Sequence, residues 1–178
     1  MEIAEKLKER GALMFGEFTL TSGKRSSYYV NIKKAYTDPS ILREIAEGMA
    51  QFATGDRLAG VALGAIPIVV ATSLRTGKPF AMIRKEDRQH GTAVKIEGEI
   101  AAGEVVDVLE DVTTTGGSVI SAVAALRSAG GVVKRVIAVV DRGEGAAEAL
   151  EREGVSLKSL VSHDDLRRML SESTVENR

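Results

Sequence analysis

Residues 105–123 read VVDVLEDVTTTGGSVISAV, and no other stretch limits the possible folds so tightly. Val105, Val106, Val108 and Leu109 form a short run of β-formers, which predicts a buried strand. From Ser118 onward, Val119, Ala122, Val123 and Leu126 recur at helical spacing, and Gly130 with Gly131 ends that helix. A strand that enters a glycine-rich turn and leaves as a helix is built to hold an anion. The first N–H groups of the helix have no partner inside it, and its dipole favours negative charge. The hydroxyls of Thr113, Thr114 and Thr115 add donors. Gly116 and Gly117 let the backbone approach a phosphate closely and permit positive φ.

Glu110 and Asp111 do not suit a simple phosphate cup, because two carboxylates beside a phosphate repel it unless they hold something else. Vicinal sugar hydroxyls or a divalent cation are the partners their chemistry fits. The expected ligand is therefore a ribose phosphate. The competing reading is a Gly/Thr turn with a solvated acidic pair at a strand end. Other nucleotide motifs fail here: DVTTTGGS lacks the G-x-G-x-x-G fingerprint, and neither Gly77-Lys78 nor Gly23-Lys24 continues as a P-loop.

The rest of the chain alternates strand and helix. Helices are expected over residues 3–13, 37–53, 66–74, 118–126, 146–153 and 164–170. Strands are expected around a turn at Ser22 and Gly23, and over 58–63, 80–83, 105–109, 136–140 and 157–161. Thr37 and Asp38 are cap-type residues, and Pro39 suits the first turn of a helix. Repeated β-α-β units predict an α/β fold, a mainly parallel sheet flanked by helices, in one domain. In such sheets ligands gather at the carboxyl ends of strands. Four of those ends are polar or glycine-rich, after Leu63, Ile83, Leu109 and Val140.

Composition narrows the class further. The chain carries 24 basic and 25 acidic residues, which argues against binding nucleic acid through bulk charge. With no cysteine and only two histidines, thiolate and multi-histidine metal sites are excluded. No apolar run reaches the ~18 residues of a membrane span, and the charged start MEIAEKLKERGALMF has no signal-peptide core. A cytoplasmic protein without membrane or nucleic-acid partners is expected.

Three further strand ends carry candidate chemistry. RKEDRQHG holds Arg84, Lys85, Arg88 and His90, a set of cations suited to a pyrophosphate, or else a solvated charged loop. Residues 92–100 read as a hairpin arm that would let this loop work as a lid. In VVDRGEG, Arg142 either clamps a carboxylate or planar acidic ring or pairs with Asp141 or Glu144. In GVALGAIP, Gly60, Gly64 and Pro67 point to a tight turn offering N–H groups to an anion. His163, in VSHDDLRR, reads as a neighbour of a helix cap. Met14 and Phe15 read as core or interface.

With these residues in view, VLEDVTTTGGS resembles the ribose-phosphate signature of type I phosphoribosyltransferases. FGEFTLTSGKRSSYYVN resembles the N-terminal substrate hood of the orotate phosphoribosyltransferase family, RKEDRQHGT its catalytic lid, and VVDRGEG its orotate-binding strand end. The resemblance implies a hood over about residues 1–36, a core over about 37–170 and a frayed tail over about 171–178. It implies transfer of a phosphoribosyl group from 5-phospho-α-D-ribose 1-diphosphate to orotate, giving orotidine 5′-monophosphate and pyrophosphate in pyrimidine biosynthesis. Mg²⁺ would be held mainly through the substrate, with no direct protein ligand. A homodimer would share lid residues between subunits. Carried onto this sequence, the resemblance makes Arg88, His90, Glu110 and Asp111 catalytic. Arg84, Lys85, Arg88 and His90 would engage pyrophosphate, and Glu110 and Asp111 the ribose. Val112, Thr113, Thr114, Thr115, Gly116, Gly117 and Ser118 would bind the 5′-phosphate end. Thr114 and Arg142 would contact orotate, beside the backbone of Tyr29 and Val30.

The chain departs from many family members in carrying Arg88 where they carry lysine and Glu110 where they carry aspartate, and from some in carrying Thr21 and Gly64 where they carry lysine. Arginine at position 88 keeps the charge but not a tunable proton, which favours electrostatic stabilisation of the leaving group. Two other readings stay open at this point: transfer to a different base, such as a purine, and a non-enzymatic regulator that senses the sugar diphosphate.

Overall fold

The structure, a computed structural model, describes residues 2–19, 23, 25–84 and 95–176. The lid positions Lys85, Arg88 and His90, and Thr21 of the N-terminal stretch, lie outside the described residues.

The chain begins with a helix α1 (Glu2–Glu9) and a two-stranded antiparallel sheet, β1 (Leu13–Thr19) and β2 (Arg25–Val30). The first helix is shorter than its amphipathic pattern predicts. Gly11 takes a positive φ of 62°, and Leu13 pairs with Val30 in the sheet instead of continuing the helix. Met14 is 36% exposed while Phe15 packs against the core. A short helix α2 (Ile32–Tyr36), absent from the sequence reading, joins β2 to α3 (Pro39–Phe52). Asp38 caps α3 by accepting the Ser40 N–H at 2.9 Å, and Pro39 occupies the first turn as expected.

The main sheet has six strands in the order β5-β4-β3-β6-β7-β8. Its strands are β3 (Arg57–Val61), β4 (Phe80–Arg84), β5 (Lys95–Glu97), β6 (Val105–Thr113), β7 (Val132–Asp141) and β8 (Ser156–Val161). All neighbours are parallel except β5, which runs antiparallel to β4. The intervening helices are α4 (Ile66–Thr76), α5 (Gly117–Ser128) and α6 (Ala146–Arg152), with α7 (His163–Glu176) last. α7 runs into the stretch expected to fray. Among the described residues no helix is long and apolar enough to cross a membrane.

Side-chain alternation divides the core. Leu58, Leu109, Ile137 and Val139 pack with residues of α1, α3, α4 and α7, while Ala59, Val61, Val106, Val108 and Val136 pack with α5 and Leu150 of α6. At the amino-terminal end of the sheet, buried Asp107 accepts the Gly55 N–H at 2.7 Å and lies 3.4 Å from Arg135. That pair holds the scaffold at the end remote from the site.

Connectivity places the site. β3 and β6 are neighbours, but the chain leaves β3 outward to β4 and leaves β6 outward the other way to β7. A crevice opens at such a switch point, beyond the carboxyl ends of the two diverging strands.

Candidate active site

The crevice between the ends of β3 and β6 is a cleft of about 350 Å³. The turn after β3 (residues 61–64), Glu110, Asp111, residues 112–119 and Lys33 line it. The acid pair lies on β6 itself. The sequence reading ends this strand at Leu109, but the ladder with β7 carries it to Thr113, matching Glu110 with Ala138, Val112 with Val140 and Thr113 with Asp141. Pairing to a long central neighbour outweighs the local polarity of the segment. Glu110 and Asp111 therefore have strand geometry above the point where β3 has ended, and both line the cleft.

Local hydrogen bonds orient both acids. Glu110 is 6% exposed, and its Oε1 accepts the Asp111 N–H at 3.1 Å. Asp111 Oδ1 accepts the Val112 N–H at 2.9 Å. Asp111 also lies against the backbone of Gly64, where a Cβ atom would overlap its carboxylate. The Ala62–Leu63 peptide in the same turn is cis.

Beyond the acids, residues 113–118 form the turn into α5. Gly116 takes φ 83° and is the N-cap of α5, so the left-handed conformation requires glycine. A Cβ atom on Gly117 would meet nothing within 4 Å, so the helix start is open on that side. The three threonine hydroxyls are not equivalent. Thr113 is buried, and its hydroxyl donates to Asp141 Oδ1 at 3.0 Å, tying the turn to the end of β7. Thr114 and Thr115 stand further out, with Thr115 exposed.

The VVDRGEG end is stitched to the same turn. The Arg142 N–H donates to the Thr113 carbonyl at 3.1 Å and the Ala146 N–H to the Thr114 carbonyl at 3.0 Å. The Arg142 guanidinium pairs with Glu144 at 2.9 Å and lies 5.2 Å over the Tyr28 ring, while the Tyr28 hydroxyl donates to the Arg142 carbonyl at 3.2 Å. The ion-pair reading of Arg142 is thus met by Glu144, and its buried Nε has no hydrogen-bond partner among the described residues. Arg84 ends β4, is exposed, and sits 3.6 Å from Glu97 of β5, outside the cleft lining. His163 packs against Gly143, next to Ser162 and Asp165, which exchange hydrogen bonds across the first turn of α7.

Two residues of the site carry no sequence motif. Lys33 lines the cleft, and Tyr36, one turn further along α2, is buried. Burial, and then the negative charge of Asp111, raise the Tyr36 phenol above its ordinary pKa. A charge-bearing residue close after β2 was the only signal available, and no local pattern gives it a destination.

Among the described residues no group of three or more His, Asp or Glu is placed to hold a metal ion. Two carboxylates on one cleft fit an oxygen-loving dication that is carried in largely by a phosphate substrate.

A switch-point cleft with a strand-borne acid pair and a Thr/Gly turn opening into a helix defines the type I phosphoribosyltransferase fold. The phosphoribosyl transferase domain family matches residues 33–165. An orotate phosphoribosyltransferase of Picrophilus torridus is 47% identical over 165 residues, 93% of this chain and 99% of that protein. A crystal structure of orotate phosphoribosyltransferase from Aeropyrum pernix superposes with a TM-score of 0.87 at 36% identity, over 95% of this chain and 98% of that one. The Mycobacterium tuberculosis orotate phosphoribosyltransferase in complex with 5-phospho-α-D-ribosyl 1-diphosphate gives a TM-score of 0.74 at 33% identity, over 93% and 96%. The chain belongs to the orotate phosphoribosyltransferase family.

Proposed function

We propose that this protein transfers the 5-phosphoribosyl group from 5-phospho-α-D-ribose 1-diphosphate to orotate, releasing pyrophosphate and forming orotidine 5′-monophosphate. The observation that carries the reading is the shared cleft. Glu110 and Asp111 face the same space as the 113–118 turn, so one ligand spanning ribose hydroxyls and 5′-phosphate meets both.

The chemistry is substitution at the anomeric carbon. The bond to the diphosphate oxygen breaks with its electron pair leaving on oxygen, and a bond to the orotate ring nitrogen forms on the opposite face. That nitrogen gives up its proton to solvent. Positive charge grows on the ribose, and the carboxylates of Glu110 and Asp111 hold its hydroxyls while stabilising that charge. The open start of α5 anchors the 5′-phosphate and so fixes the sugar. Arg142 turns from Glu144 to the carboxylate of orotate, its idle Nε supplying a second donor.

Mg²⁺ bound through the diphosphate, with Glu110 and Asp111 as the carboxylates lining its place, would supply charge to the leaving group. Arg84, Lys85, Arg88 and His90 belong to the lid in this reading, and the lid serves the partner subunit's site in a homodimer. Leu74, 82% exposed in the last turn of α4, is apolar surface of the kind a subunit contact covers.

The test is an assay with orotate, the sugar diphosphate and Mg²⁺, following loss of orotate absorbance, with adenine and uracil as competing bases. Turnover of orotate alone is expected. Turnover of adenine in its place, or of no base, would overturn the reading.

A further inference from the structure

One cationic side chain faces the acid pair without joining it. Lys33 lines the cleft together with the 61–64 turn, Glu110, Asp111 and the 113–118 turn. Its backbone is fixed, because Ile32, Ala35 and Tyr36 of the same short helix are buried and the Asn31 N–H donates to the Ala12 carbonyl at 2.7 Å. Its side chain is exposed and makes no hydrogen bond or ion pair with any described residue. Two arginines near the carboxyl ends of the strands are engaged, Arg142 with Glu144 and Arg84 with Glu97. The lysine is thus held at the mouth of an acidic cleft with its ammonium unspent.

A sugar carrying a phosphate and a diphosphate brings several negative charges into a cleft whose described walls hold two carboxylates. Lys33 is the only cation among the described lining residues, so it opposes the repulsion that those acids impose. An ammonium is a compact charge with three rotatable donors, and suits a tetrahedral phosphate. Arg142, the cation expected to face orotate, is absent from that lining, so the cation lining the acids' side of the cleft is Lys33.

We infer that Lys33 is a binding residue for the diphosphate-bearing sugar, reaching from α2 across the cleft to a phosphate group. The inference rests on the reading of the cleft given above. It makes the N-terminal segment part of the sugar diphosphate site as well as of the base pocket.

The experiment compares wild type with Lys33→Ala and Lys33→Arg. Calorimetry reads the affinity for 5-phospho-α-D-ribose 1-diphosphate at several salt concentrations. Steady-state kinetics reads KM for each substrate. Lys33→Ala is expected to weaken the sugar diphosphate about 10- to 100-fold, with a shallower salt dependence. KM for orotate and the melting temperature stay close to wild type, and Lys33→Arg retains most of the affinity. Unchanged sugar diphosphate binding in Lys33→Ala, or loss confined to orotate, would overturn the inference. A wild-type protein that binds the sugar diphosphate but turns over no orotate would sink only the base assignment. One that binds no sugar diphosphate would sink both.

Discussion

The carboxylate of Asp111 occupies the space that a side chain at Gly64 would need: a Cβ atom there would fall 2.5 Å from Asp111 Cγ. Gly64 has no positive φ to enforce glycine, so its constraint is the acid packed upon it. Gly64→Ala therefore leaves the backbone free to fold but must push Asp111 off its present position. Turnover should fall at least about tenfold, since misplaced catalytic groups lose orientation, while the melting temperature moves by only a few degrees. Wild-type kcat/KM in this variant would show that the position of Asp111 does not matter to the reaction.

Arg142 and Glu144 make a matched pair of tests. Orotate must take the place of Glu144 at the guanidinium. Arg142→Ala should raise KM for orotate about 10- to 100-fold, with little change for the sugar diphosphate. Glu144→Gln removes the competing charge and should lower KM for orotate. If both variants raise KM for orotate alike, Glu144 supports the bound substrate instead of competing with it.

Sharing of the lid is tested by mixing inactive subunits. One variant carries Arg88→Ala with His90→Ala, the other Asp111→Asn. Each alone should be nearly dead. After unfolding together and refolding in equal amounts, half the dimers should be mixed, and one site in each should carry neither defect if Arg88 and His90 serve Asp111 of the partner subunit. About a quarter of all sites then recover. A dead mixture with mixed dimers seen by mass spectrometry would place lid and acids in the same subunit.

Acid stability follows from the caps. The Ser162 hydroxyl, and then the Ser162 N–H, hold the Asp165 carboxyl below the usual carboxylate range. The Ser40 hydroxyl and N–H lower Asp38 in the same way, and the hydrogen bond from Arg57 lowers Glu104. For a carboxyl whose folded pKa is lowered, the stabilisation is complete above the unfolded value, about 4, and is lost as pH falls through the lower folded value. The melting temperature should hold above about pH 5 and drop below about pH 4. Ser162→Ala should cost roughly 0.5–2 kcal/mol at neutral pH by loss of the cap, with the gap to wild type narrowing in acid. A gap that does not change with pH would detach the effect from Asp165.

Local sequence determined much of this protein. The period of apolar residues marked the core helices and strands. Glycine and threonine after an acid pair marked the turn into α5, because a phosphate-holding helix start needs small residues and donors within a few positions of each other. Other features depended on distant partners. The sequence placed Glu110 and Asp111 past a strand end; their place within β6 comes from β7, whose backbone continues to pair with them. Thr113 looked like a phosphate ligand, and its hydroxyl goes to Asp141, 28 residues away. Gly64 looked like a turn glycine, and its neighbour is Asp111. Lys33 matched no motif, since nothing in a short helix after β2 tells which cleft it will border. Periodicity and turn chemistry act between residues close in the chain. The order of strands decides which distant residues meet, and the divergence of β3 and β6 brought the lysine, the glycine and the acids to one cleft.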